Sequence, residues 1–178
     1  MDVQKFRDLQ LRQLTNDIGV YALCDLDGIP IYVGQSTDGI RSRVRRHLTS
    51  ARSDVIANRQ IDVWEVAFVW AWPVQKKELI SSIESWLFNE FDNQSRLMNG
   101  STLNSPSEKP EIPEKLTLSV LSEEEITRRK EPRLRFPRQV QQLAILLDYI
   151  LETSDKAHLR RSLMAHFERL ERYYQGFI

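Results

Sequence analysis

The residues Gly-Val-Tyr-Ala-Leu-Cys-Asp-Leu-Asp-Gly-Ile-Pro-Ile-Tyr-Val-Gly, numbered 19–34, decide how this chain folds. Two runs rich in β-branched and aromatic residues flank Asp27-Gly28, a pair that favours a two-residue turn between antiparallel strands. The stretch therefore predicts a β-hairpin. A turn at these two residues places three cross-strand pairs on one apolar face, which should lie on the core: Leu26 with Ile29, Cys24 with Ile31, and Ala22 with Val33.

The other face of the predicted hairpin carries two tyrosines beside a glycine. Tyr32 lies opposite Leu23 and Tyr21 lies opposite Gly34, so the tyrosines are diagonal neighbours roughly 7–8 Å apart at the backbone. A four-residue loop would instead pair the two tyrosines directly and keep them on the same face. Two interpretations follow: a pair of ordinary strand tyrosines, or a polar floor with open space above it.

The composition indicates one domain, or one domain with an appendage, and enough apolar residues for a core. The net charge is zero, so binding to an acidic partner must come from local basic patches. The single cysteine, Cys24, provides no disulfide framework and suits a reducing cytoplasm. The N-terminal residues do not resemble a signal peptide, and no apolar run reaches membrane-spanning length. We therefore expect a soluble cytoplasmic protein without a membrane partner.

A helix with strong positive charge is predicted to begin near Ile40, directly after the hairpin. Arg43 and His47 share one flank of its apolar stripe. That stripe has helical spacing and consists of Ile40, Val44, Leu48 and Ala51. The charge fits a solvated surface helix or a phosphate-binding helix. The position directly after Gly34 favours the second. No acidic residue lies between the first and last of its arginines, which are Arg41, Arg43, Arg45, Arg46 and Arg52.

The middle of the chain predicts a central strand and a helix. Residues 61–72 alternate on two largely apolar faces, which is typical of a strand covered on both sides, and Pro73 ends it. Its tryptophans could stack on bases, but core packing is favoured because large aromatic residues at strand spacing are normally buried. Residues 76–91 predict a helix with Glu84 at the boundary of its apolar face. Glu90 lies nearer the centre of that face and would need a partner.

The second half begins with a linker or long loop at residues 101–115 and a short strand at 116–121. A second basic cluster, residues 128–138, has six cations and one local acid, Glu131, which predicts phosphate contacts, in particular by Arg133 and Arg135.

Two amphipathic helices follow, one at residues 138–152 and one that begins after Ser154-Asp155. They predict a helical hairpin that packs on the first half of the chain or on another copy, which would form a homo-oligomer. His158 and His166 are interpreted as surface or structural residues rather than metal ligands. The side chains expected to face inward are Val140, Leu143, Leu147, Ile150, Leu159, Leu163, Phe167, Leu170 and Tyr174.

The hairpin resembles the paired motif of the GIY-YIG nuclease superfamily. Gly19-Val20-Tyr21 and Tyr32-Val33-Gly34 match the two triplets, with valine in place of isoleucine in each. The sequence departs from the family at two places. Gln35 stands where many members have lysine, and the turn before Arg43 contains one inserted residue. Because of that insertion, Arg45 is the alternative match to the family's arginine if Arg43 is not. Further matches follow in the family's order: Arg43 on the first helix, His47 four residues later as in restriction endonucleases of this family, Glu84 in Glu-Ser-Trp-Leu-Phe, and Asn99 before Gly100.

The resemblance covers residues 18–100 and implies an α/β sandwich: a three-stranded, mainly antiparallel sheet flanked by helices. We expect a nuclease domain at 1–100, a linker at 101–115 and a helical extension at 116–178. Gly19, Gly34 and Asn99 would be structural residues of the motif.

The resemblance also implies a DNA endonuclease. Glu84 would hold one Mg²⁺ or Mn²⁺, and Arg43 would neutralise the phosphate. Tyr21 would accept a proton from water, Tyr32 would position that water or share the role, and His47 would orient Tyr21 or contact the phosphate. Two alternatives are a catalytically inactive DNA-binding module on the same fold, and an interaction protein that recruits a partner through its C-terminal helices. The residues expected to contact DNA are Gln35, Arg41, Arg45, Arg46, Arg133 and Arg135.

Overall fold

The computed structural model describes residues 2–49, 59–153 and 157–177. Ala51, Arg52, most of the polar segment before residue 61, and Ser154-Asp155 lie outside the described residues. The helices are α1 (Val3–Leu11), α2 (Ile40–Thr49), α3 (Ile80–Gln94, preceded by a 3₁₀ turn at Lys77–Leu79), α4 (Glu123–Lys130), α5 (Pro132–Glu152) and α6 (Ala157–Tyr174). The strands are β1 (Gly19–Cys24), β2 (Pro30–Ser36), β3 (Phe68–Pro73) and β4 (Leu116–Ser119).

The predicted α/β class is confirmed, but the sheet has four strands rather than three. All pairings are antiparallel, and the order is β2-β1-β3-β4. The additional strand, β4, confirms the short strand predicted at residues 116–121 at the start of the expected helical extension, and it pairs with β3. An alternating pattern of only four residues is too short to predict that this strand joins the sheet. Its place in the sheet is seen only from its pairing with β3.

The hairpin register agrees with the prediction near the tyrosines and departs from it near the turn. Ala22 pairs with Val33, Leu23 with Tyr32, and Tyr21 with Gly34. A bulge after Leu23 then puts Cys24 opposite Pro30 rather than Ile31. The bulge arises because the Asp25 carboxylate accepts hydrogen bonds from the backbone N–H groups of Asp27 and Ile29, both at 2.9 Å, which closes a wider turn than predicted.

Helices cover both faces of the hairpin, and all six residues of β1 are buried. On one face Val20 and Ala22 pack with Ile83 and Leu87 of α3. On the other face Tyr21 packs in a cluster with Ile40, Val44 and Leu48 of α2. The expectation of open space above the tyrosines is therefore wrong for Tyr21, whose side chain is fully buried.

The central strand β3 is shorter than predicted, because it begins at Phe68 rather than at residue 61. The preceding residues form a turn in which the N–H of Glu65 donates to the carbonyl of Asp62 at 3.0 Å. Both carboxylates are buried and bind arginines of α5, Glu65 to Arg135 and Asp62 to Arg138. Buried charges need such partners, and these two acids turn inward to reach them rather than continuing the strand.

The inward faces of α5 and α6 differ from those predicted, although Leu159 is buried as expected. In α5 the buried residues are Arg135, Gln139, Gln142 and Leu146, whereas Val140 and Leu147 are 42% and 41% exposed. In α6 they include Leu159, Ser162, Ala165, His166 and Arg169, whereas Phe167 and Tyr174 are 64% and 50% exposed.

The physical reason is that these helices pack over the buried acids of the first half of the chain. Arg135 binds Glu65, and Arg169 binds Asp25, so the polar side of each helix faces inward. No helix of the described residues is long and apolar enough to span a membrane.

Candidate active site

Tyr21 and Gly34 meet where the two hairpin strands pair. A Cβ atom added at Gly34 would lie 2.6 Å from the Tyr21 hydroxyl oxygen and 2.9 Å from a ring carbon of Tyr32. Glycine is therefore required here by space, because the phenol of Tyr21 crosses directly over it. Gly19 is required for a similar reason, since its added Cβ would lie 2.2 Å from the carbonyl oxygen of Trp72.

His47 joins the two tyrosines in an aromatic cluster. Its Nε2 lies 2.7 Å from the Tyr21 hydroxyl oxygen, and the tautomer of the ring decides which group donates. The ring centroid of His47 is 5.6 Å from that of Tyr32, and the two tyrosine centroids are 6.3 Å apart. His47 is 3% exposed. The structure thus brings together three residues that the sequence resemblance singled out.

The surroundings of Tyr21 favour the neutral phenol. Burial raises the pKa of Tyr21 well above its ordinary value, and the neighbouring Tyr32 and Glu84 act in the same direction. The positive charge of Arg43 and its hydrogen bond to Tyr21 oppose that shift. A phenolate would therefore need additional positive charge nearby.

A cavity of about 360 Å³ lies beside this cluster, at the outer edge of the sheet along β2. Helices α2 and α3 pack on opposite faces of the sheet, but Arg43 of α2 and Glu84 of α3 both line this cavity. Tyr32 and Asn99 line it as well. Three of the five predicted catalytic residues therefore line one cavity, whereas the other two, Tyr21 and His47, are buried and are not among its lining residues.

Glu84 is half-buried, and burial raises its pKa to about 7. The carboxyl group is thus divided between its protonated and ionised forms near neutral pH, so a bound cation would favour the carboxylate. The expectation that Glu90 lies in the apolar stripe is wrong: Glu90 is exposed and accepts a hydrogen bond from the Trp86 indole at 3.1 Å.

The donor set fits a magnesium-type ion better than a caged metal. Among residues 2–49, 59–153 and 157–177, no group of three or more His, Cys, Asp and Glu side chains is placed to hold a metal. Mg²⁺ commonly uses one or two carboxylates and completes its coordination with water and substrate phosphates. A single half-buried carboxylate in a cavity is consistent with that mode of binding.

Asn99 links the segment that follows α3 to the edge strand β2 by hydrogen bonds. Its side-chain oxygen accepts from the N–H of Val33 at 3.1 Å, and its side-chain nitrogen donates to the carbonyl of Val33 at 2.7 Å. The N–H of Met98 donates to the carbonyl of Ile31 at 2.7 Å. Asn99 thus satisfies the unpaired backbone groups of an edge strand next to Tyr32.

The residues expected to contact DNA occupy different environments. Gln35, Arg45, Arg46 and Arg133 are exposed. Arg41 is half-buried, and its Nε donates to the carbonyl of Leu14 at 2.6 Å.

Arg135 is 7% exposed and its guanidinium binds Glu65 and Asp27, so we do not retain it as a phosphate contact. The prediction of an uncompensated second basic cluster is wrong for most of its cations. Arg128 and Arg129 bind Glu125 of the same helix, and the other paired cations bind acids from distant segments. Lys130 binds Asp27 at 3.2 Å and Arg138 binds Asp62 at 2.9 Å.

Sequence reasoning missed several residues of the cavity, among them Gln60 and His158. His158 belongs to α6, and no spacing or motif in the sequence connects it with the hairpin. Only the packing of α6 against the segment around Gly100 brings it to the cavity.

Comparison with known protein families gives a match over residues 17–97 to the GIY-YIG catalytic domain. No curated protein and no solved structure matches the chain. The matched residues include the whole hairpin, Arg43, His47 and Glu84.

Proposed function

Residues 17–97 belong to the GIY-YIG nuclease superfamily, and from this premise we propose that the protein is a divalent-metal-dependent endonuclease that hydrolyses DNA phosphodiester bonds. The observation that carries the proposal is the cavity at the β2 edge, where Tyr32, Arg43 and Glu84 converge beside the buried Tyr21–His47 pair. Phosphodiester hydrolysis needs a deprotonated water, neutralisation of the developing charge and assistance to the leaving oxygen.

In this proposal, Glu84 and Arg43 have different electrostatic roles toward the phosphate. Glu84 would hold Mg²⁺ or Mn²⁺, and the bound ion would supply positive charge to the phosphate and the leaving oxygen. Arg43 donates hydrogen bonds to the non-bridging phosphate oxygens, since a guanidinium suits phosphate geometry. Both side chains line the cavity, so one phosphate group could contact both.

The two tyrosines differ in their access to the attacking water and its proton. Tyr32 lines the cavity and is half-buried, whereas Tyr21 is fully buried. We therefore assign the contact with the attacking water to Tyr32, which revises the expectation that Tyr21 does so. Tyr21 holds the cluster together through His47 at 2.7 Å and through its hydrogen bond with Arg43.

Single-hydroxyl deletions test this division of roles. Tyr32→Phe should slow cleavage of plasmid DNA by about a hundredfold, on the order of losing one transition-state group. Tyr21→Phe should slow it less, because that hydroxyl acts through Arg43 and His47. The reverse ranking, with Tyr21→Phe the more damaging variant and an unchanged melting temperature for both, would return the water contact to Tyr21.

The alternative is a DNA-binding module without turnover, for which the departure at Gln35 is the observation. Incubation with plasmid and branched DNA in Mg²⁺, in Mn²⁺ and in EDTA separates the two. The nuclease proposal requires cutting that depends on the metal and stops in EDTA. Binding to DNA without cutting in any of these conditions would favour the module.

A further inference from the structure

The first turn of α6 carries His158 into the same cavity as Glu84, Arg43 and Tyr32. This histidine is 74 positions from Glu84 in the sequence, and its sequence context predicts only a surface or structural role. Its helix belongs to the part of the chain that the family match does not cover. His158 therefore lines the cavity from outside the matched residues 17–97.

Hydrogen bonds fix the position of α6 relative to the cavity. The Ser162 hydroxyl donates to the carbonyl of Met98 at 2.6 Å, and the Gln60 side chain donates to the Ser162 oxygen at 3.3 Å. His166 Nε2 lies 2.8 Å from the carbonyl oxygen of Gln60. Ser162 is completely buried, so its bonds are shielded from water. One turn before Ser162, His158 is consequently held in place rather than being carried on a loose terminus.

Gly100 allows the His158 side chain to lie close against the segment that follows Asn99. A Cβ atom added at Gly100 would lie 3.1 Å from the Cβ and 3.4 Å from the Cδ2 of His158. The adjacent Asn99 binds both backbone groups of Val33, next to Tyr32. A continuous path of close contacts therefore links the imidazole to the strand that carries Tyr32.

The His158 ring has hydrogen-bonding capacity that the protein leaves available. Within the part of the chain that the structure describes, no residue hydrogen-bonds to its imidazole. The residue is half-buried and faces a cavity. An imidazole carries at least one N–H donor in each of its forms, and a phosphate oxygen is a strong acceptor.

From this placement we propose that His158 donates a hydrogen bond to a backbone phosphate of the DNA strand bound in the cavity. The inference rests on the proposed nuclease function and extends it, because it makes α6 part of the substrate-binding surface. The contacted phosphate lies next to the Gly100 segment. His158 is thus a substrate-contacting residue supplied from outside the matched domain.

The test compares His158→Ala and His158→Gln with the parent and with Met164→Ala. Met164 lies on the same helix, is 49% exposed and does not line the cavity, so it is a matched control. Affinity for a short duplex is measured by fluorescence anisotropy in EDTA, cleavage by single-turnover assay in Mg²⁺, and stability by thermal unfolding.

We expect His158→Ala to weaken duplex binding by roughly threefold to tenfold, which is typical of one lost hydrogen bond. Cleavage by His158→Ala should slow by at least the same factor. His158→Gln keeps an N–H donor and should recover most of the affinity, and Met164→Ala should match the parent. The melting temperature should stay close to that of the parent in all three.

The outcomes separate this inference from the proposed function. A parent that cuts DNA, with His158→Ala equal to it in affinity and rate, would overturn the contact while leaving the nuclease intact. A lower melting temperature for His158→Ala with unchanged affinity would overturn the inference in favour of a packing role. The parent protein could also fail to cut DNA in every condition. If it then bound the duplex more tightly than His158→Ala and as tightly as His158→Gln did, the nuclease function would be lost and the phosphate contact kept.

Discussion

Arg169→Met should destabilise the protein strongly, because the change breaks a fully buried ion pair between α6 and the hairpin turn. Arg169 Nη1 lies 2.7 Å from Asp25 Oδ2, and the two side chains are 2% and 1% exposed. The guanidinium also donates to the carbonyl of Pro30 at 3.0 Å and to the Ser95 hydroxyl at 3.2 Å. Replacement by methionine leaves the Asp25 carboxylate buried without its cation.

Breaking a buried pair from one side costs about 3–5 kcal/mol. For a chain of this size, each 1 kcal/mol lowers the melting temperature by about 2–4 °C, so the expected loss is roughly 6–20 °C. Thermal unfolding followed by circular dichroism measures it. Asp25→Asn combined with Arg169→Met should recover part of the loss, because the amide oxygen can still accept from the N–H groups of Asp27 and Ile29.

Arg96→Met provides the matched control. Arg96 binds Glu168, the neighbour of Arg169, at 2.9 Å, but the two side chains are 41% and 44% exposed. Solvent-exposed pairs contribute about 0–1 kcal/mol, so this variant should lose no more than about 4 °C. If Arg169→Met melted within the same range as Arg96→Met, α6 would not be held to the hairpin in the way described.

Three further predictions address the site. Gly34→Ala should reduce cleavage at least about tenfold, since the new methyl group would lie 2.6 Å from the Tyr21 hydroxyl; unchanged activity would contradict the tight crossing over this glycine. The Mg²⁺ concentration for half-maximal cleavage should rise as pH falls below 7, approaching a tenfold rise per pH unit. The reason is that protons compete with the cation for the Glu84 carboxylate, whose pKa is raised to about 7. A Mg²⁺ requirement that stays constant from pH 8 to 5.5 would place the metal on another ligand. Arg46 is exposed, so Arg46→Ala should lower the slope of log DNA affinity against log salt concentration by about one unit. Arg135 is paired with Glu65, so Arg135→Ala should leave that slope unchanged and lower the melting temperature. A lower slope for Arg135→Ala would show that its charge reaches DNA.

Local patterns in the sequence predicted the parts of the fold that depend on neighbouring residues. Alternation and the Asp27-Gly28 signal gave the pairing of Tyr21 with Gly34, and helical spacing gave the start of α2 at Ile40. The resemblance to a known family directed attention to Arg43 and Glu84, which the structure places in one cavity.

Contacts between distant segments were not predictable in the same way. The alternation through Asp62 and Glu65 continues that of β3, so the sequence alone predicted one long strand. Their arginine partners are more than 65 positions away, and the pairing explains both the late start of β3 and the polar inward face of α5. His158 was missed for the same reason, because only tertiary packing brings α6 to the cavity.

The proposed role of Glu84 as the ligand of the catalytic metal is tested most directly by comparing cleavage by Glu84→Gln with cleavage by Glu90→Gln. Glu90 lies on the same helix but is exposed and bonded to Trp86, so its variant controls for loss of one carboxylate on α3. With plasmid DNA and Mg²⁺, the parent and Glu90→Gln should cut at similar rates, and EDTA should stop both. Glu84→Gln should bind DNA about as well as the parent and cut about a hundredfold more slowly or worse. Cleavage by Glu84→Gln at the parental rate would contradict the account.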